Sequence, residues 1–508
     1  MTADEGGGAA IERARAWYAA GCVETSRGEY AAAVASFQRA LAIAPDWPEA
    51  QHNLGRALFE LGRVDDAAAC FELAAAGPQP GLPRAMLAVV IPGSARADHR
   101  AVLEARRAWA GAFLPPARPG PAASRDATPP GRTLRVGYVS SFFHRANWMK
   151  PVWALINHHD RDAVEVHLFA DSPGWTGGAG YRAAPGDHVH PIAGMPNDEA
   201  AALIELCGID VLVDLNGYSK PERLPLFQWR PAPVAASWFN MYATSGMSAF
   251  DYLVGDDVVV SPDEEPWYSE RIARVAESYL TFEVAHAAPD VAEAPCAVRG
   301  AITFGCLASQ YKITPDVIET WGELLRGAPS TALVLRNAAL ASPGVRRYVR
   351  DALGASGVAP ERVRMFGPAE HLEFLRTYDS VDVALDTFPY NGGTTTMEAI
   401  WQGVPVATFR GDRWASRTSA SILRAAGLDE FVAADRDAFV AMTVELATSP
   451  SAVQRVIALR RSMRERVRAS PACDGRRFAR NMEALYRRMC EERAPAAPAH
   501  GQVVPLGN

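Results

Sequence analysis

The sequence predicts an α plus α/β chain: a short array of paired helices, then two parallel, doubly wound sheets that read as Rossmann-like lobes. Three observations carry this. Residues 10–77 repeat themselves at one fixed spacing. Residues 114–132, LPPARPGPAASRDATPPGR, form a Pro/Gly/Ala interval that breaks helices and strands alike. Beyond it, continuous apolar runs alternate with helical stretches, twice over, as parallel sheets covered on both faces require.

The repeat comes first. Gly21 and Gly55, Gly28 and Gly62, Ala33 and Ala67, Phe37 and Phe71, and Ala40 and Ala74 are each 34 residues apart. That period, with small residues where helices cross and Pro45 closing a unit, is the tetratricopeptide signature. Small residues let paired helices approach, and the two phenylalanines fill the gap between successive pairs. Two repeats fall below the three or so that a free-standing solenoid needs. The array of 10–113 is therefore expected to lean on the helical stretch 95–113 and on the domain beyond the linker 114–132.

The first lobe, 133–295, is expected from LRVGYVSS, VEVHLFA, DVLVDLN and VAASWF. The second, 296–465, is expected from AITFGCLA, TALVLRN, RVRMFG, VDVALDT and VPVATF. A cleft between two such lobes is the place for a ligand, because open parallel sheets bind beyond the carboxyl ends of their strands. An amphipathic C-terminal helix is expected within 466–490, and a frayed Pro/Ala/Gly tail over 491–508.

Composition narrows the function. Of 508 residues, 49% are hydrophobic and 21% charged, enough for a large core. A net charge of -7 argues against a nucleic-acid partner, which favours a basic face. No apolar run approaches the roughly 18 residues of a membrane span. MTADEGGGAA lacks the charged and apolar regions of a secretory signal, so a cytoplasmic location is expected. The seven cysteines are scattered singly with no CxxC pair, so neither a disulfide framework nor a zinc site is indicated.

One stretch carries chemistry: DTFPYNGGTTTMEAIWQGVPVATF, residues 386–409. A strand ends at Asp386, two glycines follow, and Thr394, Thr395 and Thr396 open a helix. Threonine is a mediocre helix former, so three in a row need a reason. Gly392 and Gly393 let backbone approach a ligand closely. The first helical turn offers unpaired N–H groups and a positive dipole end, suited to phosphate, and the threonine hydroxyls add neutral donors. Glu398, one turn further in, is poorly placed for phosphate but suited to ribose hydroxyls. The reading is a nucleotide-diphosphate site; a plain N-cap with spare threonines is the alternative.

NGGTTTMEAIWQGVPVAT also resembles the nucleotide-binding segment of the O-GlcNAc transferase/SPINDLY family of GT-B glycosyltransferases. LRVGYVSSFF, DVLVDLNGYS, RPAPVAASWFN, TSGMSAFDYLVGD, SQYKITPDVIETW, RVRMFGP, ASRTSASILRAAGL and FARNMEALYRRM extend the resemblance over nearly all of 133–490. It implies a GT-B enzyme that neutralises its leaving nucleotide without metal or other cofactor. The expected donor is a nucleotide-diphosphate sugar, UDP-GlcNAc first, and the expected acceptor a protein Ser/Thr hydroxyl held by the helical repeats. GDP-fucose as donor, a glycan or lipid acceptor, and a catalytically degenerate interaction protein are the alternatives.

Carried over by residue, Lys312 in SQYKI matches the family's diphosphate-contacting lysine, flanked by Ser309, Gln310 and Tyr311. Thr394 and Thr395 match phosphate ligands, and Glu398 an acidic ribose ligand. Asn216, Gly217 and Tyr218 match a loop bordering the cleft. The departures lie mostly on the acceptor side. The family's first-lobe loop carries a histidine where this chain has Ala146, leaving His144 and Lys150 as candidates to replace it. The family's GYPGTSG becomes NMYATSG (240–246), which keeps Thr244, Ser245 and Gly246 but loses two glycines and a proline. Ser309 stands where relatives carry Asn or Gln, and Gly393 where animal enzymes carry histidine. His371 is a candidate for the nucleotide base, although its spacing from VDVALDT is about one helical turn too long.

Overall fold

A computed structural model describes residues 4–119 and 132–493 of the chain. Most of the linker and the end of the tail, 120–131 and 494–508, lie outside the described residues.

The array forms α1 (Asp4–Ser26), α2 (Tyr30–Ile43), α3 (Pro48–Glu60) and α4 (Val64–Ala75), followed by α5 (Gly81–Val90) and α6 (His99–Phe113). The 34-residue period has a direct steric cause. A Cβ on Gly21 would lie 2.6 Å from the Phe37 ring, and one on Gly55 would lie 2.8 Å from the Phe71 ring. Each phenylalanine is buried against the glycine of the preceding helix, contributing roughly 1.5–3 kcal/mol by area removed from water.

The first lobe is a seven-stranded, wholly parallel sheet of order β3-β2-β1-β4-β5-β6-β7. Its strands are β1 (Leu134–Ser140), β2 (Val164–Ala170), β3 (His188–Pro191), β4 (Val211–Asp214), β5 (Val234–Ser237), β6 (Tyr252–Gly255) and β7 (Arg271–Arg274). Helix α7 (Lys150–Ile156) follows β1 and α8 (Asn197–Cys207) follows β3. The second lobe is parallel too, of order β10-β9-β8-β11-β12-β13. It is built from β8 (Thr303–Cys306), β9 (Ala332–Arg336), β10 (Val363–Phe366), β11 (Val383–Leu385), β12 (Val406–Phe409) and β13 (Val432–Ala433). In both sheets the order reverses beside the first strand, which sets the ligand crevices beyond β1/β4 and β8/β11.

Four strands escape a reading by apolar runs. β3 is HVHP and β7 is RIAR, polar strands at the two edges of the first sheet. β13, with two residues, is too short for a periodic signal, and β6 (YLVG) lies outside the apolar runs named above. The final helix runs Gly475–Arg493, past the expected boundary at 490. It returns to the first lobe, where Glu483 accepts at 2.8 Å from His159 Nδ1 and at 3.0 Å from the Asp160 amide.

The repeats lean on both lobes. Arg106 of α6 is buried and donates to the carbonyls of Thr244 (2.6 Å) and Ala88 (3.1 Å), with its guanidinium 4.0 Å from the Tyr218 ring centroid. On the second lobe, Phe59 stacks on Tyr311 at 4.9 Å, and the Gln310 amide donates to the Leu61 carbonyl at 3.5 Å. Ser342 donates to Glu29 at 2.6 Å.

Candidate active site

β8 and β11 end side by side. From β8 the chain turns through Ser309, Gln310 and Tyr311 to Lys312; from β11 it runs through Asp386 and Asn391 to the helix Thr394–Trp401. Asp386 organises the second loop: one carboxylate oxygen accepts from the Thr387 and Gly392 amides (2.9 and 2.8 Å), the other from Thr408 Oγ1 (2.8 Å). A Cβ on Gly392 would stand 2.6 and 2.7 Å from the hydroxyls of Thr396 and Thr395, so glycine is required there. At Gly393 the nearest atom would be 3.7 Å away, an ordinary contact, so a Cβ is tolerated there.

These loops wall a cavity of about 390 Å³, lined by Ser309, Tyr311, Lys312, Asn391, Gly392, Gly393, Thr394 and Thr395 from the second lobe. The Thr394 and Thr395 hydroxyls make no hydrogen bond to another described residue. Lys312 Nζ donates to the Asn391 carbonyl at 2.6 Å and sits 4.0 Å from the Tyr390 ring centroid. Burial pulls its pKa down to about 8, against the opposing pull of Asp386, so it stays mostly charged at neutral pH. A half-buried ammonium, the amino end of a helix and two unbonded hydroxyls thus face one space, an arrangement suited to anionic phosphate oxygens.

The first lobe closes the cavity with Arg145, Asn147 and Trp148 after β1, and with Ser219, Asn240 and Tyr242. Asn240 and Tyr242 have φ of 68° and 53°, the left-handed region, at a cost of order 1 kcal/mol each or more for a non-glycine. Asn240, where the family resemblance leads one to expect glycine, thus holds a backbone conformation that glycine favours. A second cavity of about 300 Å³ adjoins, walled on its far side by Phe59, Val64, Val89, Val90, Pro92 and Arg106 of the helical array. Ser219, Asn240, Tyr242, Tyr311, Lys312 and Tyr390 line both. Among the described residues lining either chamber there is no carboxylate and no imidazole.

Several expected site residues lie elsewhere. Lys150 is 1% exposed and donates to Glu398 Oε1 at 2.9 Å; the His371 ring nitrogen is 2.8 Å from the same oxygen. Burial pushes Glu398 up, but Lys150 and His371 outweigh it and hold the carboxyl below its usual range. Neither Lys150 nor Glu398 lines the cavity, because the ammonium reaches across from the first lobe and neutralises the carboxylate inside the protein. His371 opens the short helix His371–Arg376, followed by the turn Thr377–Ser380, and its ring reaches the helix of Glu398. His144 turns outward, its Nδ1 3.2 Å from Ser172 Oγ, and does not line the cavity.

Thr396 faces inward to Ser419 Oγ at 2.8 Å, and Gln310 faces the repeats. Thr244 and Ser245 do not border the cleft. Thr244 Oγ1 and the Ser245 amide donate to the buried Glu270 at 2.8 and 2.7 Å, and Gly246 lies against the backbone of Arg106. The TSG turn is therefore the seat of α6. Asn216 is buried, accepting from the Ser141 amide at 2.8 Å, and Gly217 packs on the Asn240 carbonyl; of that loop, Tyr218 reaches the second chamber. Arg145, Asn147, Trp148, Asn240 and Tyr242 went unselected within recognised segments, since loop backbone decides which side chain faces in. The repeat-borne wall had no local signal at all.

The comparisons with known proteins agree with this layout. The glycosyl transferase family 41 model matches residues 119–294 and 296–482, and a TPR repeat model matches 21–73. The chain is similar to a probable UDP-N-acetylglucosamine–peptide N-acetylglucosaminyltransferase SPINDLY of Hordeum vulgare, 32% identical over 384 residues. That alignment covers 72% of this chain and 39% of the barley protein. The corresponding SEC protein of Arabidopsis thaliana is 28% identical over 372 residues, covering 70% and 37%. The chain thus spans about two fifths of the length of these curated plant relatives. Among solved structures, a mutant O-GlcNAc transferase of Thermobaculum terrenum superposes with a TM-score of 0.81 at 30% identity, over 95% of this chain and 91% of that one.

Proposed function

This chain belongs to glycosyl transferase family 41, and on that premise we propose that it is an inverting, metal-independent glycosyltransferase that moves GlcNAc from UDP-GlcNAc to a Ser/Thr hydroxyl of a protein. One observation carries the reading. Lys312 and the first turn of the helix Thr394–Trp401 share a chamber whose wall, at Lys312 itself, is also the wall of a second chamber built by the repeats. The donor's diphosphate belongs against the Gly393–Thr395 amides and the two hydroxyls. Its sugar lies toward Tyr242 and Tyr390, and the acceptor hydroxyl enters from the repeat side.

As the glycosidic bond breaks, negative charge grows on the phosphate oxygens. The ammonium and helix end already in place stabilise that charge without reorganising, which supplies the neutralisation a divalent cation would otherwise provide. Attack from the repeat-side chamber, opposite the departing nucleotide, inverts the anomeric centre. With no carboxylate or imidazole on the described walls, the base nearest the attacking hydroxyl is a diphosphate oxygen of the donor, which takes the proton. The repeat-lined chamber, with Phe59, Val64 and Arg106, holds the acceptor backbone.

The test is a panel of UDP- and GDP-sugars with mass detection of modified peptides, alongside calorimetry with UDP. GlcNAc transfer from UDP-GlcNAc without added metal, lost on Lys312→Met while the thermal midpoint holds, is expected. Transfer only from GDP-fucose would reassign the donor; no nucleotide binding at millimolar concentration would remove the enzyme reading.

A further inference from the structure

Far from the cleft, at the β3 edge of the first sheet, three elements bring metal-binding donors together. Strand periodicity places Glu165, His167 and Phe169 of β2 on one face. β3 pairs with β2 in parallel register, His188 beside His167 and His190 beside Phe169, so both of its histidines join that face. Helix α8 ends over it, bringing Cys207. His167 Nδ1 and His190 Nε2 are 3.1 Å apart, and Cys207 Sγ is 3.8 Å from His190 Nε2. A tetrahedral zinc with bonds of about 2.0–2.1 Å to nitrogen and about 2.3 Å to sulfur separates its donors by about 3.3 Å (N···N) and about 3.6 Å (N···S). The two separations at His190 Nε2 already lie within about 0.2 Å of those spacings, and all three donor atoms lie within 4.8 Å of one another.

A second observation is independent of the spacing. The other ring nitrogen of His167, Nε2, donates to Glu165 Oε1 at 2.9 Å, and Arg135 Nε donates to the opposite oxygen of that carboxylate at 3.4 Å. A carboxylate on the far side of a histidine fixes the tautomer that points a lone pair at the metal, the usual arrangement around ligating histidines. We propose that His167, His190 and Cys207 form a zinc site, with water in the fourth position and Glu165 as positioning residue, stapling edge strand β3 to β2 and to the end of α8. Burial lowers both histidines, keeping them neutral and ready to ligate. On zinc entry the Cys207 thiol gives its proton to solvent, and His190, which faces His167 across a shared proton, tilts and moves that proton to its other nitrogen. One proton is released per ion. No CxxC motif announces the site, because its donors come from β2, β3 and α8.

Cobalt(II) and zinc titrations of the full chain test it. The other histidine–carboxylate clusters among the described residues contain no cysteine, so a thiolate-to-cobalt charge-transfer band singles this one out. Expected are a tetrahedral cobalt spectrum with that band, displaced by one equivalent of zinc, and its loss in Cys207→Ser with at least tenfold weaker binding. Glu165→Gln should keep the band but weaken binding 10–100-fold. His190→Gln, on the partly exposed edge, repeats the test should Cys207→Ser misfold. A wild-type spectrum without the thiolate band, or full binding by a folded Cys207→Ser or His190→Gln chain, overturns the site.

Discussion

Gly28 and Gly62 occupy the same place in successive repeats, and both have positive φ, 73° and 84°. Around Gly28 a Cβ would meet nothing within 4 Å. At Gly62 it would stand 2.2 Å from the Ile313 carbonyl oxygen, 2.9 Å from the Ile313 carbonyl carbon and 3.0 Å from the Gln310 oxygen. Those atoms belong to the loop of Lys312. The paired substitutions Gly28→Ala and Gly62→Ala therefore separate backbone strain from the docking of the array onto that loop. Gly28→Ala should cost only the left-handed penalty, about 1 kcal/mol. Gly62→Ala adds an overpacking cost of about 1–3 kcal/mol.

The loop must also give way, since contacts below 3.0 Å essentially never occur: from 2.2 Å to at least 3.0 Å, a retreat of about 0.8 Å next to Lys312. Misplacement of that size in a catalytic constellation costs on the order of 10²-fold in rate. Thermal unfolding and UDP release from UDP-GlcNAc, measured on both variants, give the comparison. Turnover should survive Gly28→Ala and drop by roughly 30–100-fold in Gly62→Ala. Equal turnover in the two variants would falsify the claim that the repeats position the lysine.

Three further outcomes follow from the site. Because the folded pKa of Lys312 is about 8, below the roughly 10.4 of an unfolded lysine, UDP affinity should fall as pH rises through about 8, whereas this group's contribution to stability should rise from there to about 10.4. Calorimetry across that range checks it, and Lys312→Arg should remove the inflection. Lys150→Met leaves the buried Glu398 with His371 alone beside it and should cost about 3 kcal/mol, the low end for a broken buried pair; adding Glu398→Gln should recover part of it in a double-mutant cycle by denaturant unfolding, and strictly additive losses would refute the pairing. Gly392→Ala should abolish UDP binding by pushing on Thr395 and Thr396, while Gly393→Ala should leave the thermal midpoint within about 2 °C, given the 3.7 Å clearance there.

Local chemistry made part of this protein legible from its residues alone. The 34-residue period stands out because each helix pair must bury a phenylalanine on a glycine. The two sheets stand out because parallel strands covered on both faces are continuously apolar. The glycine–threonine loop stands out because two glycines and a threonine-opened helix lie within a dozen residues of one another. Each signal joins neighbours in the chain. Edge strands β3 and β7 gave none, since HVHP and RIAR carry polar side chains in place of a continuous apolar run.

Tertiary packing decided the rest. Lys150 meets Glu398 across 248 residues, which took both from the cleft and made them a latch between lobes. Arg106 meets Thr244 across 138, turning an expected acceptor loop into the seat of a helix. The repeat-side wall and the His167–His190–Cys207 cluster likewise draw on separated segments. A side chain's role there depends on what folds against it, and burial and charge pairing follow from proximity in space, which spacing along the chain does not encode.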